Sequence, residues 1–211
     1  MKTYRVLFSK KNELIFVSHL DFAHCIIRAL KRANLPLKYS EGFSPHPKIV
    51  FALPLSVGTT GENEIVDVTL DCDNISNEEF RERLSKSLET ILEIKKVYEP
   101  DIKLGKVKSA VYTVTFDGFT GEKDNILKVL DNPPTVTKTT KSGKEKELDI
   151  KEMIYSFGAE EADGNTLITL ELASSGENYL NPELVLKSIE KAGVILPVDY
   201  DITRNEIHFE Q

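Results

Sequence analysis

Ser18-His19-Leu20-Asp21-Phe22-Ala23-His24-Cys25-Ile26-Ile27-Arg28-Ala29-Leu30-Lys31-Arg32-Ala33 is the stretch on which the fold turns. Ser18 is placed to accept from the amide three residues on, and Asp21 favours the positive end of a helix, so the run opens as a capping box. Leu20, Ala23, Ile27 and Leu30 are read as its buried stripe, and Asn34-Leu35-Pro36 ends it. Upstream, residues 3–9 read as a strand, followed after Lys10-Lys11-Asn12 by a second short apolar run, Leu14-Ile15-Phe16-Val17. Downstream, Ile49–Leu55 is an apolar strand, Gly58–Glu62 a turn, and Glu64–Leu70 alternates as a half-buried strand. Ser76-Asn77-Glu78-Glu79 caps a second helix with Phe80, Leu84, Leu88 and Ile91 at core spacing, and Ile94–Tyr98 returns as a strand.

The resulting order is β-α-β-β-α-β, the split βαβ arrangement of ferredoxin-like domains. Pro100 to Lys108 is short and charged and carries Gly105, which makes it a domain joint. Beyond it, Ala110–Phe116 reads as a strand and Glu122–Leu130 as a helix stopped by Pro133-Pro134. Strand-like Thr135–Thr140 and Glu145–Leu148 are joined through Lys141-Ser142-Gly143-Lys144, read as a hairpin turn. Asp149–Phe157 reads as a short helix and Thr166–Leu172 as a strand. Asn181-Pro182 opens a helix that Gly193 ends, and Asn205–Phe209 is a last strand. The expectation is an α+β protein of two tandem ferredoxin-like domains, 1–105 and 106–211, the second decorated.

Composition bounds the function. With 40% apolar and 29% charged residues the chain is ordinary for a globular protein. No apolar run reaches the roughly 18 residues of a membrane span, and Met1–Leu7 lacks the pattern of a signal peptide, so no membrane is expected and the location is read as cytoplasmic. Cys25 and Cys72 are too few for a disulfide framework or a CxxC zinc site, and no cysteine run suits an iron–sulfur cluster. No metal or cofactor is therefore expected. The net charge of −7 hides an asymmetry: residues 1–50 hold nine Lys/Arg against Glu13, Asp21 and Glu41, a net of +6, leaving −13 for the remainder. Such a segment points to an anionic partner.

Asp21, Cys25, Arg28 and Arg32 recur at helical spacing and share a face. Arg28 and Arg32, four apart, repel each other, and a phosphate would relieve them. His19, in the first helical turn, is expected neutral beside the positive helix end, which suits a general base or a hydrogen-bonding group as well as a packing role. Tyr39-Ser40-Glu41-Gly42-Phe43-Ser44-Pro45-His46-Pro47-Lys48 is too stiff for a linker and too polar for core. Its prolines bias Ser44 and His46 towards extended geometry. Tyr39 and Phe43 offer stacking faces and Lys48 a phosphate contact, as in single-strand RNA binders, although both rings could equally plug the core. His208 is read as a surface or packing residue.

Ser18-His19-Leu20-Asp21, Arg28-Ala29-Leu30-Lys31-Arg32-Ala33, Tyr39–Pro47 and then Ala52-Leu53-Pro54-Leu55-Ser56-Val57-Gly58 follow one another in an order that resembles the bacterial radical SAM-linked domain family. Residues 4–70 carry the resemblance; Ser44 stands where the family usually has Asn. The resemblance implies an accessory or substrate-binding module for a radical SAM protein. A more distant, fold-level likeness is to the tandem ferredoxin-like endoribonucleases that process CRISPR repeats. Together with the +6 segment, the expectation is a non-catalytic module binding RNA through His19, Arg28, Arg32, Tyr39, Phe43, His46 and Lys48. The alternatives are a metal-independent endoribonuclease using His19 or His46, and a pure protein-docking domain.

Overall fold

The computed structural model describes residues 1–88, 92–139, 145–176 and 178–210. Two units emerge: Met1–Val107 together with the chain end from Phe209, and Lys108–His208.

Alternation builds the sheet of the first unit. β1 (Lys2–Lys10) sends Tyr4, Val6 and Phe8 into the core, and β3 (Thr59–Leu70) answers with Val66, Val68 and Leu70. β1 pairs antiparallel with both β3 and β4 (Glu93–Tyr98), and the short β2 (Ile49–Phe51) pairs with β3, giving the order β4-β1-β3-β2. α1 (His19–Arg32) and α2 (Asn77–Leu88) supply the cover through Phe22, Ile26, Ala29 and Leu30 and through Phe80, Leu84 and Leu88. The Tyr4 ring stacks on Phe80 at 4.6 Å, and its hydroxyl donates to the Ile75 carbonyl at 2.6 Å, so a buried polar group is satisfied.

In the second unit, β5 (Val107–Phe116) lies between β9 (Asn165–Ser175) and β11 (Asp201–Phe209), and β8 (Ile154–Ala162) and β10 (Asn178–Tyr179) also pair with β9. α3 (Lys123–Asp131) and α4 (Pro182–Lys191) bury Ile126, Leu130, Val185 and Ile189. The hairpin of β6 (Val136–Thr139) and β7 (Glu145–Leu148) stands apart from that sheet.

Several expectations are corrected. α1 is capped by Ser18, which accepts from the Asp21 amide. Its buried face, however, is turned by about one residue: Leu20 is 71% exposed, and Ala23 and Ile27 are only half-buried. The cause is Phe22, whose ring packs on Phe8 at 5.6 Å and on Phe51 at 6.1 Å and so sets which side faces the sheet. Leu14–Val17 lies in no strand, because Asn12–Phe16 winds into a 3₁₀ turn after a positive φ at Asn12. β2 stops at Phe51 with one further bond, from the Ala52 amide to the Ile65 carbonyl, before Pro54, which has no amide to donate. Residues 59–62 are strand rather than turn, since β3 reaches back to pair Gly61 with Lys10. Asp149–Phe157 is no helix: a 3₁₀ turn at Lys151–Met153 leads straight into β8. Ile91 and Lys141-Ser142-Gly143-Lys144 lie outside the described residues.

Candidate functional site

The segment from Leu37 to Lys48 is a stalk with a tip. At its base, the Lys38 amide donates to the Thr69 carbonyl, the Thr69 amide to the Lys48 carbonyl, and the Lys48 amide to the Lys38 carbonyl, so both legs are fastened to the end of β3. Higher up, Tyr39 bridges Pro47. The Ser40 amide donates to the His46 carbonyl at 2.8 Å, and the His46 amide donates to Ser40 Oγ at 3.0 Å. That closes the turn 40–46, and Gly42 at φ +118° lets the chain reverse where a side chain would be strained. Phe43, at the tip, is fully exposed at 111% relative accessibility, and Ser44, Pro45, His46 and Lys48 are exposed with it. Tyr39 is half-covered by α1, the Lys31 ammonium lying 5.9 Å from its ring centroid.

Arg28 and Arg32 take a different flank of α1. Arg28 Nη2 donates to Cys25 Sγ at 3.3 Å, and Arg32 Nη2 to the Ser87 carbonyl near the end of α2 at 3.0 Å. Lys31 and Arg32 are one residue apart and hence about 100° apart around the helix, so one flank meets the loop and the other meets α2. His19, at the opposite end of α1, packs edge-on against Phe51 at 5.1 Å. The seven candidate residues therefore fall into three places: the loop with Tyr39, Phe43, His46 and Lys48; the α2-facing flank with Arg28 and Arg32; and the helix start with His19.

Much of the basic segment is neutralised internally. Lys2 pairs with Glu99, Arg5 with Asp67, Lys11 with Glu62 and Lys38 with Asp71. Lys10, 2% exposed, donates to the Val17 carbonyl and sits over the Phe22 ring. The remaining cations, Arg28, Lys31, Arg32 and Lys48, are all exposed. They cluster on the second half of α1 and the foot of the loop.

Sequence reasoning passed over Glu64 and took His208 for no more than a surface or packing residue. Glu64 is 4% exposed, and a Cβ at Gly61 would come within 2.5 Å of its Cγ, so glycine there makes room for the carboxylate. The signal was a Gly-x-x-Glu spacing inside one strand. His208 is also more than a surface residue: its Nδ1 lies 3.0 Å from Glu171 and its Nε2 3.1 Å from Glu206, with Ser109 donating to the same Glu171 carboxylate at 2.6 Å. The hydrogen bond to Glu171 raises the imidazole pKa against the opposing effect of burial. Ser109 first, then His208, lowers that of Glu171. Both imidazole nitrogens are occupied by carboxylates, which makes this a structural network rather than a poised base. Among the described residues no group of His, Cys, Asp or Glu could hold a metal ion, and no helix is long and apolar enough to cross a membrane.

Fold and site together define an α+β protein whose first unit exposes an aromatic loop beside several cations. The chain belongs to the family described as uncharacterized protein conserved in bacteria (DUF2344), whose family model matches residues 3–182. None of the curated proteins matches it in sequence. A chain of a Cbf5-Nop10-Gar1 complex is similar in fold, with a TM-score of 0.50 at 11% identity over 97% of this chain and 48% of that one. This chain thus spans about half the length of that relative, and the likeness concerns fold alone. A chain of an unknown protein from Galdieria sulphuraria aligns at 12% identity over 100% of this chain and 99% of that chain, at a TM-score of 0.29 that carries no fold argument.

Proposed function

We propose that this protein is a non-catalytic accessory module that presents RNA to a radical SAM protein in the cytoplasm. Phe43 carries the reading: a phenyl ring held outward on a closed turn leaves apolar surface in water, and a nucleic-acid base stacking on it removes that surface. Lys48 at the foot of the loop and Lys31 beside Tyr39 supply phosphate contacts, and Tyr39 and His46 further rings. Arg28, Arg32 and His19 add to the site as positive potential and a hydrogen-bonding group. In this reading each unit is a ferredoxin-like domain: the first runs β-α-β-β-α-β in antiparallel order β4-β1-β3-β2, and the second is decorated by the β6–β7 hairpin and β10.

Fluorescence anisotropy with a labelled single-stranded RNA, taken from 50 to 200 mM salt, tests it. Binding should weaken steadily with salt, and Phe43→Ala should lower affinity about five- to 150-fold, the equivalent of one lost stacked base at about 1–3 kcal/mol. Absence of binding at low salt removes RNA from the reading. Capture of a radical SAM protein that survives nuclease treatment then favours protein docking through the same loop. His46 is exposed on that loop, so RNA cleavage that disappears on His46→Ala or His19→Ala would instead mark an endoribonuclease.

A further inference from the structure

We infer that the cleft between the Asn12–Phe16 turn, α1 and α2 is a binding site for a small ligand with an apolar body and an anionic head, separate from the loop 39–48. Leu14, Val17, Phe22 and Ile26 line one side and Leu88 and Leu92 the other, enclosing about 240 Å³. At ~30 Å³ per water-sized volume that is room for about eight non-hydrogen atoms. Its remaining lining residues are Cys25, Arg28 and Arg32, and among the described residues no carboxylate lines it.

The two guanidiniums are the reason to expect an anion. A guanidinium has five N–H donors. Among the described residues Arg28 spends one on the Cys25 thiol and Arg32 one on the Ser87 carbonyl, and neither is in an ion pair. Placed four apart on one helix they repel each other. A carboxylate or a phosphate monoester would take bidentate hydrogen bonds from them and offset that repulsion. An apolar floor below two cations suits an amphiphile, since a polar anion alone would leave the floor wet and an apolar molecule alone would leave the cations unmatched.

Cys25 reports occupancy, because its exposed thiol sits at the rim, and the partly exposed Cys72, which does not line the cleft, is the internal control. Full-length protein is alkylated with iodoacetamide alone or with hexanoate, hexyl phosphate or hexan-1-ol, and each cysteine is followed by peptide mass spectrometry. Hexanoate or hexyl phosphate should slow alkylation of Cys25 but not of Cys72. Half-protection should need about ten-fold less of the anion than of hexan-1-ol, as expected for charge-assisted hydrogen bonds. Protection by one anion only supports the site and identifies its headgroup. Arg28→Gln/Arg32→Gln, measured against its own ligand-free rate, should raise the half-protecting concentration about ten-fold or more. Both positions are exposed, so the fold tolerates the change. No protection by either anion, equal protection by the alcohol, or an unchanged double variant overturns the site. Phe43→Ala should leave protection intact, which keeps this test separate from that of the RNA reading.

Discussion

Arg5 and Asp67 face each other across β1 and β3 in register, and the pair is bidentate: Nε reaches Oδ1 at 2.7 Å and Nη2 reaches Oδ2 at 2.8 Å. Nη2 also donates to the Ile102 carbonyl at 2.7 Å, and the arginine is 2% exposed. A buried pair of this kind adds little net stability relative to an apolar pair, because its attraction mostly offsets desolvation. Removing one partner is different, since the other stays buried and unpaired. Asp67→Ala should therefore lower urea-unfolding stability by about 3–5 kcal/mol, and Arg5→Met/Asp67→Val by much less. A loss below about 1 kcal/mol for the single variant would contradict the pairing. Arg5 looked in the sequence like one more charge in a basic segment. Its partner is 62 positions away, and only the cross-strand register brings them together.

At the scale of elements, α1 shows what pattern alone can and cannot decide. Its start at Ser18, its length and its shared Arg28/Arg32 flank follow from capping and the 3.6 period, and all were legible. Its rotation was not, because Leu20, Ala23, Ile27 and Leu30 form as good an apolar stripe as Phe22, Ile26, Ala29 and Leu30. What separates the two is packing of Phe22 between Phe8 and Phe51, long-range contacts that no local period contains. Ile26→Ala should therefore cost about 2–5 kcal/mol in denaturant unfolding, as a deleted core side chain does, while Leu20→Ala stays within about 0.5 kcal/mol. The reverse ranking would put the helix back on the expected face. β8 was missed for a related reason: Asp149-Ile150-Lys151-Glu152-Met153 contains good helix formers, but pairing with β9 outweighs propensity once the chain passes Met153. For the candidate site, the loop's turn residues foretold a rigid, exposed segment. That Tyr39 would meet Lys31 depended on how the stalk is fastened to β3.

Over the whole molecule, charge divides by unit. The first unit, residues 1–107 with 209–211, holds 16 Lys/Arg against 16 Asp/Glu, and residues 108–208 hold 11 against 18. The first unit is thus neutral, its +6 segment balanced by acidic residues of the same unit, and what is left for an anionic partner is position rather than excess charge. The second unit is at −7 and repels itself, which gives a cation inside it unusual weight. His208 occupies that role on β11, between Glu171 of β9 and Glu206 of its own strand, with Ser109 of β5 and Ser156 of β8 also donating to Glu171. The imidazole titrates above its ordinary 6.5, so its contribution to stability is complete below pH 6.5 and is lost as pH rises through the raised value. Glu171 titrates below its ordinary 4.5, so its contribution is present above pH 4.5 and is lost as pH falls through the lowered value. Between those limits both groups are charged and the network is at full strength. The side chains are partly exposed, which screens the pair and keeps the effect small. Comparing wild-type protein with His208→Gln by thermal unfolding across pH, the gap in Tm should be widest between pH 4.5 and 6.5 and close as the solution becomes alkaline. A gap that stays constant from acid to alkaline solution would show that His208 acts by packing alone.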